Sequence, residues 1–133
     1  MKIYLSSVFV DDQQKALEFY TDVLGFEQKR DMPVGTHRWL TVTTKGEADG
    51  TELLLEPDEH PAAKAYKTAV KADGIPVASF LVDDLDSEYA RLHEAGVAFV
   101  QKPMDAGPVR MAVIDDTCGN LIQLVEVLKE AAS

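Results

Sequence analysis

The side chains with the clearest chemical potential stand on predicted strands. His37, Arg38 and Trp39 are consecutive on a strand-like segment that follows the turn formers Pro33–Gly35. Histidine exchanges a proton near neutral pH, so His37 is a candidate general base or replacement metal ligand. An indole beside a guanidinium suits an aromatic, anionic ligand. The same pair also suits a core or subunit-interface tryptophan next to a solvated arginine, so both interpretations stay open.

Two carboxylates, an amide and a second arginine complete the candidates. Glu56 and Glu126 end two predicted strands, where they are either an acid–base couple or solvated rim charges. Gln123 interrupts a strand that otherwise reads Leu-Ile-x-Leu-Val, and a buried amide needs hydrogen-bond partners. Gln123 is therefore the leading candidate, with Glu56 and His37 as weaker catalytic candidates. Arg110, at the start of a strand, could reach an acidic ligand.

The composition narrows the class of protein without selecting a function. The 133 residues, 46% hydrophobic and 27% charged, suit one globular domain. A net charge of −10 argues against nucleic acid and anionic membranes as partners, because both attract basic surfaces. A single cysteine, Cys118, excludes an intrachain disulfide. The N-terminal segment turns polar early, and no apolar run approaches the roughly 20 residues that span a bilayer, so we expect a cytoplasmic protein.

An internal repeat divides the chain into two similar halves. The triplet Val10-Asp11-Asp12 recurs as Val82-Asp83-Asp84, and each copy precedes a helical pattern that ends at a glycine. Those glycines, Gly25 and Gly96, are one position closer together along the chain than the triplets are, so the second helix lacks one residue. An aspartate at the start and a glycine at the end are typical helix caps. Each half therefore predicts a strand, a helix and further strands.

The repeat predicts an α+β fold of two βαβββ modules within one domain, residues 1–133. Module one covers about 1–57 and module two about 76–128. A connector helix over about 61–73 presents Ala65, Tyr66, Ala69 and Val70 as its apolar face. Turn formers at Lys45–Gly50 and Pro103–Pro108 predict loops. The predicted strands are Ile3–Val10, Phe26–Asp31, His37–Thr44, Thr51–Glu56, Val97–Lys102, Arg110–Asp115 and Leu121–Leu128.

Two segments resemble signatures of the vicinal oxygen chelate superfamily. The stretch from Val10 to Phe26, with its element Phe-Tyr-Thr-Asp-Val-Leu-Gly-Phe, resembles the first-helix signature. The stretch from Asp115 to Glu126 resembles the closing signature, with Asp116-Thr117 in place of the usual Asp-Pro. The superfamily groups glyoxalase I, bleomycin-resistance proteins, fosfomycin-resistance enzymes and extradiol dioxygenases. The resemblance implies paired βαβββ modules around a cleft, commonly completed by a homodimer.

The resemblance also implies where the superfamily holds its metal ion. Transferred by position, the four ligands fall on Leu5, on Val77, on Gln123 and on either Leu53 or Glu56. Leucine and valine have no lone pair to give a cation, whereas these metals take imidazole or carboxylate. We therefore expect no cofactor at the usual metal site. The alternative is a divalent Zn, Ni, Mn or Fe held by Glu56 and Gln123 in a rearranged set.

If Leu5 and Val77 point into the cleft, strand alternation directs Ser7, Phe9 and Ser79 there as well. The predicted ligand pocket contains Leu5, Ser7, Phe9, Trp39, Leu53, Val77, Ser79, Arg110 and Gln123. An apolar pocket with a few placed hydroxyl and amide groups suits a small organic molecule.

Three functions remain open. The first is a metal-independent, bleomycin-resistance-like protein that binds a small organic molecule. The second is a lyase, isomerase or dioxygenase with a rearranged metal site, and the third is a non-catalytic interaction module. In each case we expect a homodimer with Phe9, Trp39 and Met111 at or near its interface.

Overall fold

Each half of the chain forms a four-stranded mixed sheet with one helix packed on it. In the computed structural model, which describes residues 1–128, the first half contains β1 (Leu5–Val10), α1 (Gln13–Glu18), β2 (Glu27–Val34), β3 (His37–Thr43) and β4 (Glu52–Pro57). The connector is α2 (Pro61–Ala72). The second half contains β5 (Ala78–Leu81), α3 (Leu85–Glu94), β6 (Phe99–Ala106), β7 (Val109–Asp115) and β8 (Leu121–Val127).

The two sheets have the same connectivity. Their strand orders are β1-β4-β3-β2 and β5-β8-β7-β6. In each sheet the first strand runs parallel to the last, and the other neighbours are antiparallel. This confirms the predicted α+β class and the two βαβββ modules. The end of the predicted domain, residues 129–133, lies outside the described residues.

Backbone contacts divide the described chain into two units. One contains residues 1–69 with 117–119, and the other contains residues 70–116 with 120–128. In the first unit, α1 packs on β3 and β4 over a core that includes Val8, Val10, Leu40 and Leu55. In the second, α3 packs on β6, β7 and β8 over Leu85, Leu92, Ala112, Ile114 and Ile122.

The helix ends confirm the predicted caps and explain the missing residue. The Asp12 carboxylate accepts a hydrogen bond from the Lys15 backbone N–H at 3.0 Å, and Asp84 accepts from the Ser87 N–H at 3.2 Å. After α1 the chain forms a π-helical turn over Phe19–Val23, in which the Leu24 N–H donates to the Phe19 carbonyl at 3.0 Å. A π turn holds one residue more than an α turn. The first helix therefore accommodates its extra residue in the π turn while α1 stays packed on the sheet.

Three predicted features differ from the structure. The predicted loop Pro103–Pro108 is mostly strand, because register shifts in β6 between Phe99 and Met104 let the proline fit beside β7. The predicted apolar face of α2 is largely exposed, since the helix buries Ala63 and Lys67 instead. Ile3 and Tyr4 precede β1 and are exposed. Within residues 1–128, no helix is long and apolar enough to cross a membrane.

Candidate functional site

Strand alternation gives each sheet a face directed away from its packed helix. Val8 and Val10 are buried on the α1 side of β1, so Ser7 and Phe9 point to the opposite side, which we call the Ser7 face. The register places Ser7 beside Leu54, then Thr41, then Arg30 in one row across this face. In the second sheet the corresponding row on the Ser79 face contains Ser79, Gln123, Val113 and Gln101.

The pairing also fixes the position left open between Leu53 and Glu56. Ser7 and Ser79 precede the two Val-Asp-Asp triplets by the same interval, so they occupy equivalent places in the repeat. Ser79 pairs with Gln123, whereas Ser7 pairs with Leu54, so Leu54 is the counterpart of Gln123. Leu53 pairs with Ser6 and lies on the helix side of the sheet. The assignment of Leu53 to the pocket face is therefore wrong by one residue.

The four positions implied for a metal do not fit a divalent cation. They are Leu5, Leu54, Val77 and Gln123, and of these only Gln123 carries a donor atom. Catalytic zinc sites use at least three protein ligands drawn from His, Cys and carboxylate. Across residues 1–128, no group of three or more such side chains is arranged to hold a metal ion. The donor chemistry therefore gives no basis for a reaction step through a metal.

Gln123 forms a polar contact pair with Ser79 on the Ser79 face. The Ser79 hydroxyl donates to Gln123 Oε1 at 2.9 Å, and Gln123 Nε2 lies 3.6 Å from Met111 Sδ. Ser79 and Gln123, both predicted for the pocket, therefore lie together. The Gln123 amide on β8 contacts Ser79 on β5 and Met111 on β7. The serine hydroxyl bonds the amide rather than its own backbone. A bound molecule on this face would meet an oriented amide among apolar neighbours.

Glu52 is a buried carboxylate on the Ser7 face that sequence reasoning missed. Its side chain is 4% exposed. Oε1 accepts from the Thr41 hydroxyl at 2.8 Å and from Arg30 Nε at 3.1 Å. The other carboxylate oxygen, Oε2, accepts neither of these hydrogen bonds. Because every buried side-chain nitrogen or oxygen within residues 1–128 has a partner, Oε2 is accessible to solvent. Strand alternation could have predicted the face on which Glu52 lies, because Glu52, Leu54 and Glu56 are two residues apart along β4 and therefore share one face.

Glu56 and Glu126, interpreted as either an acid–base couple or rim charges, do not occupy equivalent positions in the repeat. Glu56 pairs with Phe9 on the Ser7 face. Glu126 pairs with Arg110, and its Oε1 accepts from the Leu85 backbone N–H at 2.8 Å, at the start of α3. Because Ser79 pairs with Gln123, the counterpart of Glu56 is Val125 rather than Glu126. Glu126 therefore has a structural role at a helix N-terminus.

Arg110 lies on the helix side of its sheet rather than on the Ser79 face. Its guanidinium donates to Asp86 at 2.7 Å and to Asp105 at 2.9 Å. The hydrogen bond to Asp86 is the main reason that its pKa is raised. Arg38, its counterpart in the first half of the repeat, makes two hydrogen bonds to a single aspartate, Asp31, at 2.7 and 3.0 Å. Each arginine joins the two strands of its hairpin, and the prediction that Arg110 lies on the pocket face is wrong.

His37 and Trp39 occupy the edge of the Ser7 face near the end of β4. His37 Nε2 lies 2.7 Å from Glu59 Oε2. Trp39 pairs with Met32 across β2 and β3 and is half-buried. The pairing of β3 with β4 is confined to Thr41–Leu54 and Val42–Leu53. The strands therefore separate where Trp39 and Glu56 stand.

A second missed residue is Lys67, a buried lysine on α2. Its side chain is 6% exposed, and Nζ donates to Asp58 Oδ2 at 2.9 Å and to the Cys118 carbonyl at 2.7 Å. An added Cβ at Gly119 would lie only 2.8 Å from Lys67 Cε and Nζ. The absence of a side chain at Gly119 therefore leaves the space that the end of Lys67 occupies when it reaches the Cys118 carbonyl. Cys118 is fully buried, as expected of a structural rather than a nucleophilic thiol.

The chain is similar over nearly its whole length to known proteins. The profile of the Glyoxalase/Bleomycin resistance protein/Dioxygenase superfamily matches residues 3–124. The uncharacterized protein YurT of Bacillus subtilis (strain 168) is 54% identical over 126 residues, which cover 95% of this chain and 99% of YurT. Among solved structures, UcmS2 superposes with a TM-score of 0.81 at 33% identity, covering 94% of this chain and 97% of its own. TnmS3, an antibiotic binding protein from Streptomyces sp. CB03234, gives a TM-score of 0.73 at 31% identity and 96% coverage of both chains.

Proposed function

Because the chain belongs to the Glyoxalase/Bleomycin resistance protein/Dioxygenase superfamily, we propose that it is a cytoplasmic protein that binds a small organic molecule without a divalent metal. The binding surfaces in this proposal are the Ser7 face and the Ser79 face. The observation that carries it is the donor set: Leu5, Leu54 and Val77 stand at three of the four positions where the superfamily holds its metal. A metal-dependent lyase, isomerase or dioxygenase would need three donors there.

The chemistry of the two faces supports a binding role. Apolar side chains such as Phe9, Leu54 and Met111 provide contact area, and a few polar groups with fixed orientation, including Gln123 and Glu52, provide directionality. Small-molecule sites in proteins commonly combine these two features. TnmS3, which is similar over nearly the whole chain, is described as antibiotic binding, so an antibiotic-like molecule is our first choice of ligand class.

The experiment combines metal analysis with a binding titration. Elemental analysis of the purified protein should find far less than one Zn, Ni, Mn or Fe per chain, and EDTA should leave its thermal midpoint unchanged. The only tryptophan, Trp39, lies beside the proposed surface, so its fluorescence reports on binding there. Metal-free bleomycin is the first probe, and saturable quenching is expected. A stoichiometric metal that Gln123→Ala or Glu56→Gln removes, together with metal-stimulated turnover, would replace this proposal by the enzymatic one.

A homodimer is part of the same proposal. Leu81, Met104 and Val127 on the second sheet are large apolar side chains that are 72%, 43% and 57% exposed in the isolated chain. Exposed apolar area of this kind is commonly covered by association, and a self-complementary interface is the usual form. Light scattering should give twice the chain mass of 14.6 kDa at micromolar concentration. A monomer that still binds its ligand at full affinity would contradict the dimer.

A further inference from the structure

Glu56 is a half-buried carboxylate that binds nothing else in the described chain. It lies on the Ser7 face beside Phe9, and within residues 1–128 it has neither a hydrogen bond nor an ion pair. The neighbouring carboxylate differs, because Glu52 is bound to Arg30 and Thr41. A half-buried carboxylate without a protein partner depends on water for its solvation. The face therefore carries one negative charge that a bound molecule could compensate.

The indole next to this charge is also unengaged. The Trp39 indole has no ring contact and no side-chain hydrogen bond within residues 1–128, and its cross-strand neighbour is the exposed, flexible side chain of Met32. An indole face attracts organic cations through its quadrupole. A carboxylate and an indole on one surface are complementary to the same kind of group. They favour a positively charged nitrogen attached to an apolar or aromatic frame.

Gln13 holds β3 and β4 together at the place where they separate. Its Nε2 donates to the Arg38 carbonyl at 2.7 Å and to the Leu55 carbonyl at 2.9 Å, and its Oε1 accepts from the Arg38 N–H at 3.1 Å. One side-chain amide thus replaces the missing strand pairing between the residues that precede Trp39 and Glu56. Both side chains project to the Ser7 face from strands that this amide fixes at a set separation.

The second sheet has no such arrangement, although it is built by the same repeat. There β7 and β8 pair continuously from Val109–Val127 to Asp115–Leu121. The counterparts of Trp39 and Glu56 are Met111 and Val125, which pair directly with one another. The acidic and aromatic combination in the strand gap is therefore a property of the Ser7 face and does not follow from the fold alone.

We propose that the gap between β3 and β4 on the Ser7 face is a subsite for an organic cation, with Glu56 as its counter-ion and Trp39 as its stacking surface. This inference rests on the proposed small-molecule-binding function and names the ligand class: an amine-bearing aromatic or amphipathic molecule. Arg30 remains committed to Glu52, so it leaves the Glu56 charge uncompensated. The overall charge of −10 adds a weak attraction for cations.

The test compares three acridines of the same ring shape and different charge. Proflavine is a cation near neutral pH, acridine is neutral and acridine-9-carboxylate is an anion, and the fluorescence anisotropy of each reports binding. Proflavine should bind about tenfold more tightly than acridine, because a partly desolvated ion pair and a cation–π contact act together. The carboxylate should bind most weakly. Glu56→Gln should reduce the preference for proflavine, leaving only the part that the Trp39 indole contributes, and should leave acridine binding unchanged.

Two further variants separate this subsite from general effects of charge. Glu47→Gln makes the same charge change at an exposed position in the turn between β3 and β4, and it should leave all three affinities unchanged. Trp39→Leu should weaken proflavine more than acridine-9-carboxylate. Equal affinities for proflavine and acridine, or an unchanged preference in Glu56→Gln, would overturn the subsite but not the proposed function. Failure of the acridines and of metal-free bleomycin to bind would overturn both.

Discussion

Replacing Lys67 by methionine should destabilise the first unit, because it removes a buried cation from two acceptors. Methionine keeps most of the volume of the lysine stem but provides no donor for Asp58 or for the Cys118 carbonyl. Breaking a buried ion pair by removing one partner costs about 3–5 kcal/mol. Asp58 is 15% exposed and recovers some hydration, so we place the loss in free energy of unfolding at the lower end, about 3 kcal/mol.

Urea denaturation followed by Trp39 fluorescence measures this loss, since the tryptophan belongs to the same unit. For a chain of this size, about 3 kcal/mol corresponds to a fall of roughly 10 °C in the thermal midpoint. The matched control is Lys64→Met, which makes the same substitution at an exposed position one turn earlier on α2 and should change stability by less than about 0.5 kcal/mol. If the two variants were equally stable, the ion pair would contribute nothing and the reasoning would be refuted.

Three further changes test other contacts. Gly119→Ala should cost more than about 2 kcal/mol, because its φ of +96° is strained for alanine and the new Cβ would meet Lys67; thermal unfolding measures it. Gln13→Ala should cost roughly 2 kcal/mol by leaving the strand gap unbridged, and hydrogen exchange should show faster opening of β3. The hydrogen bonds from Arg38 hold the pKa of the Asp31 carboxyl below its ordinary value of 3.8. The stabilisation from this pair is therefore fully present above pH 3.8 and is lost as the pH falls through the lower pKa of the folded state. Asp31→Asn should therefore flatten the acid limb of the stability curve, and an unchanged limb would contradict the assignment.

The repeated triplet and helix pattern predicted both modules, since strand alternation, caps and helical spacing are local properties of the chain. The aspartate caps followed from the same repeat, whereas the contact between Ser79 and Gln123, each predicted separately for the pocket, became visible only in the structure. The Leu53 assignment failed because one residue of register moves a side chain to the other face, and only strand pairing fixes that register. Arg110 was placed in the pocket without any register, and its pairing with Glu126 puts it on the helix side.

Lys67 and Glu52 could not be predicted, because their burial depends on partners far along the chain. Lys67 looked like the polar side of an amphipathic helix, and its acceptor at Cys118 lies 51 residues away. Glu52 looked like a solvated strand end, and its partner Arg30 lies 22 residues away on the far side of β3. A single sequence offers no sign that such charges meet. Tertiary pairing reversed the usual expectation that lysine and glutamate are exposed.

The π turn at Phe19–Val23 has a consequence for how the gene could have changed. A duplicated gene begins as two copies of equal length, and one codon gained in the first copy or lost from the second accounts for the longer first helix. The offset continues into the second hairpin, because Phe99 pairs with Ile114 where Gln28 pairs with Val42, and it ends at the register shift in β6 between Gln101 and Met104. A compensating extra residue therefore lies between Gln101 and Met104, where β6 has a register shift that β2 lacks. The extra residue of the first half is held in the widened turn around the buried Tyr20, and the extra residue of the second half is held in the register shift of β6.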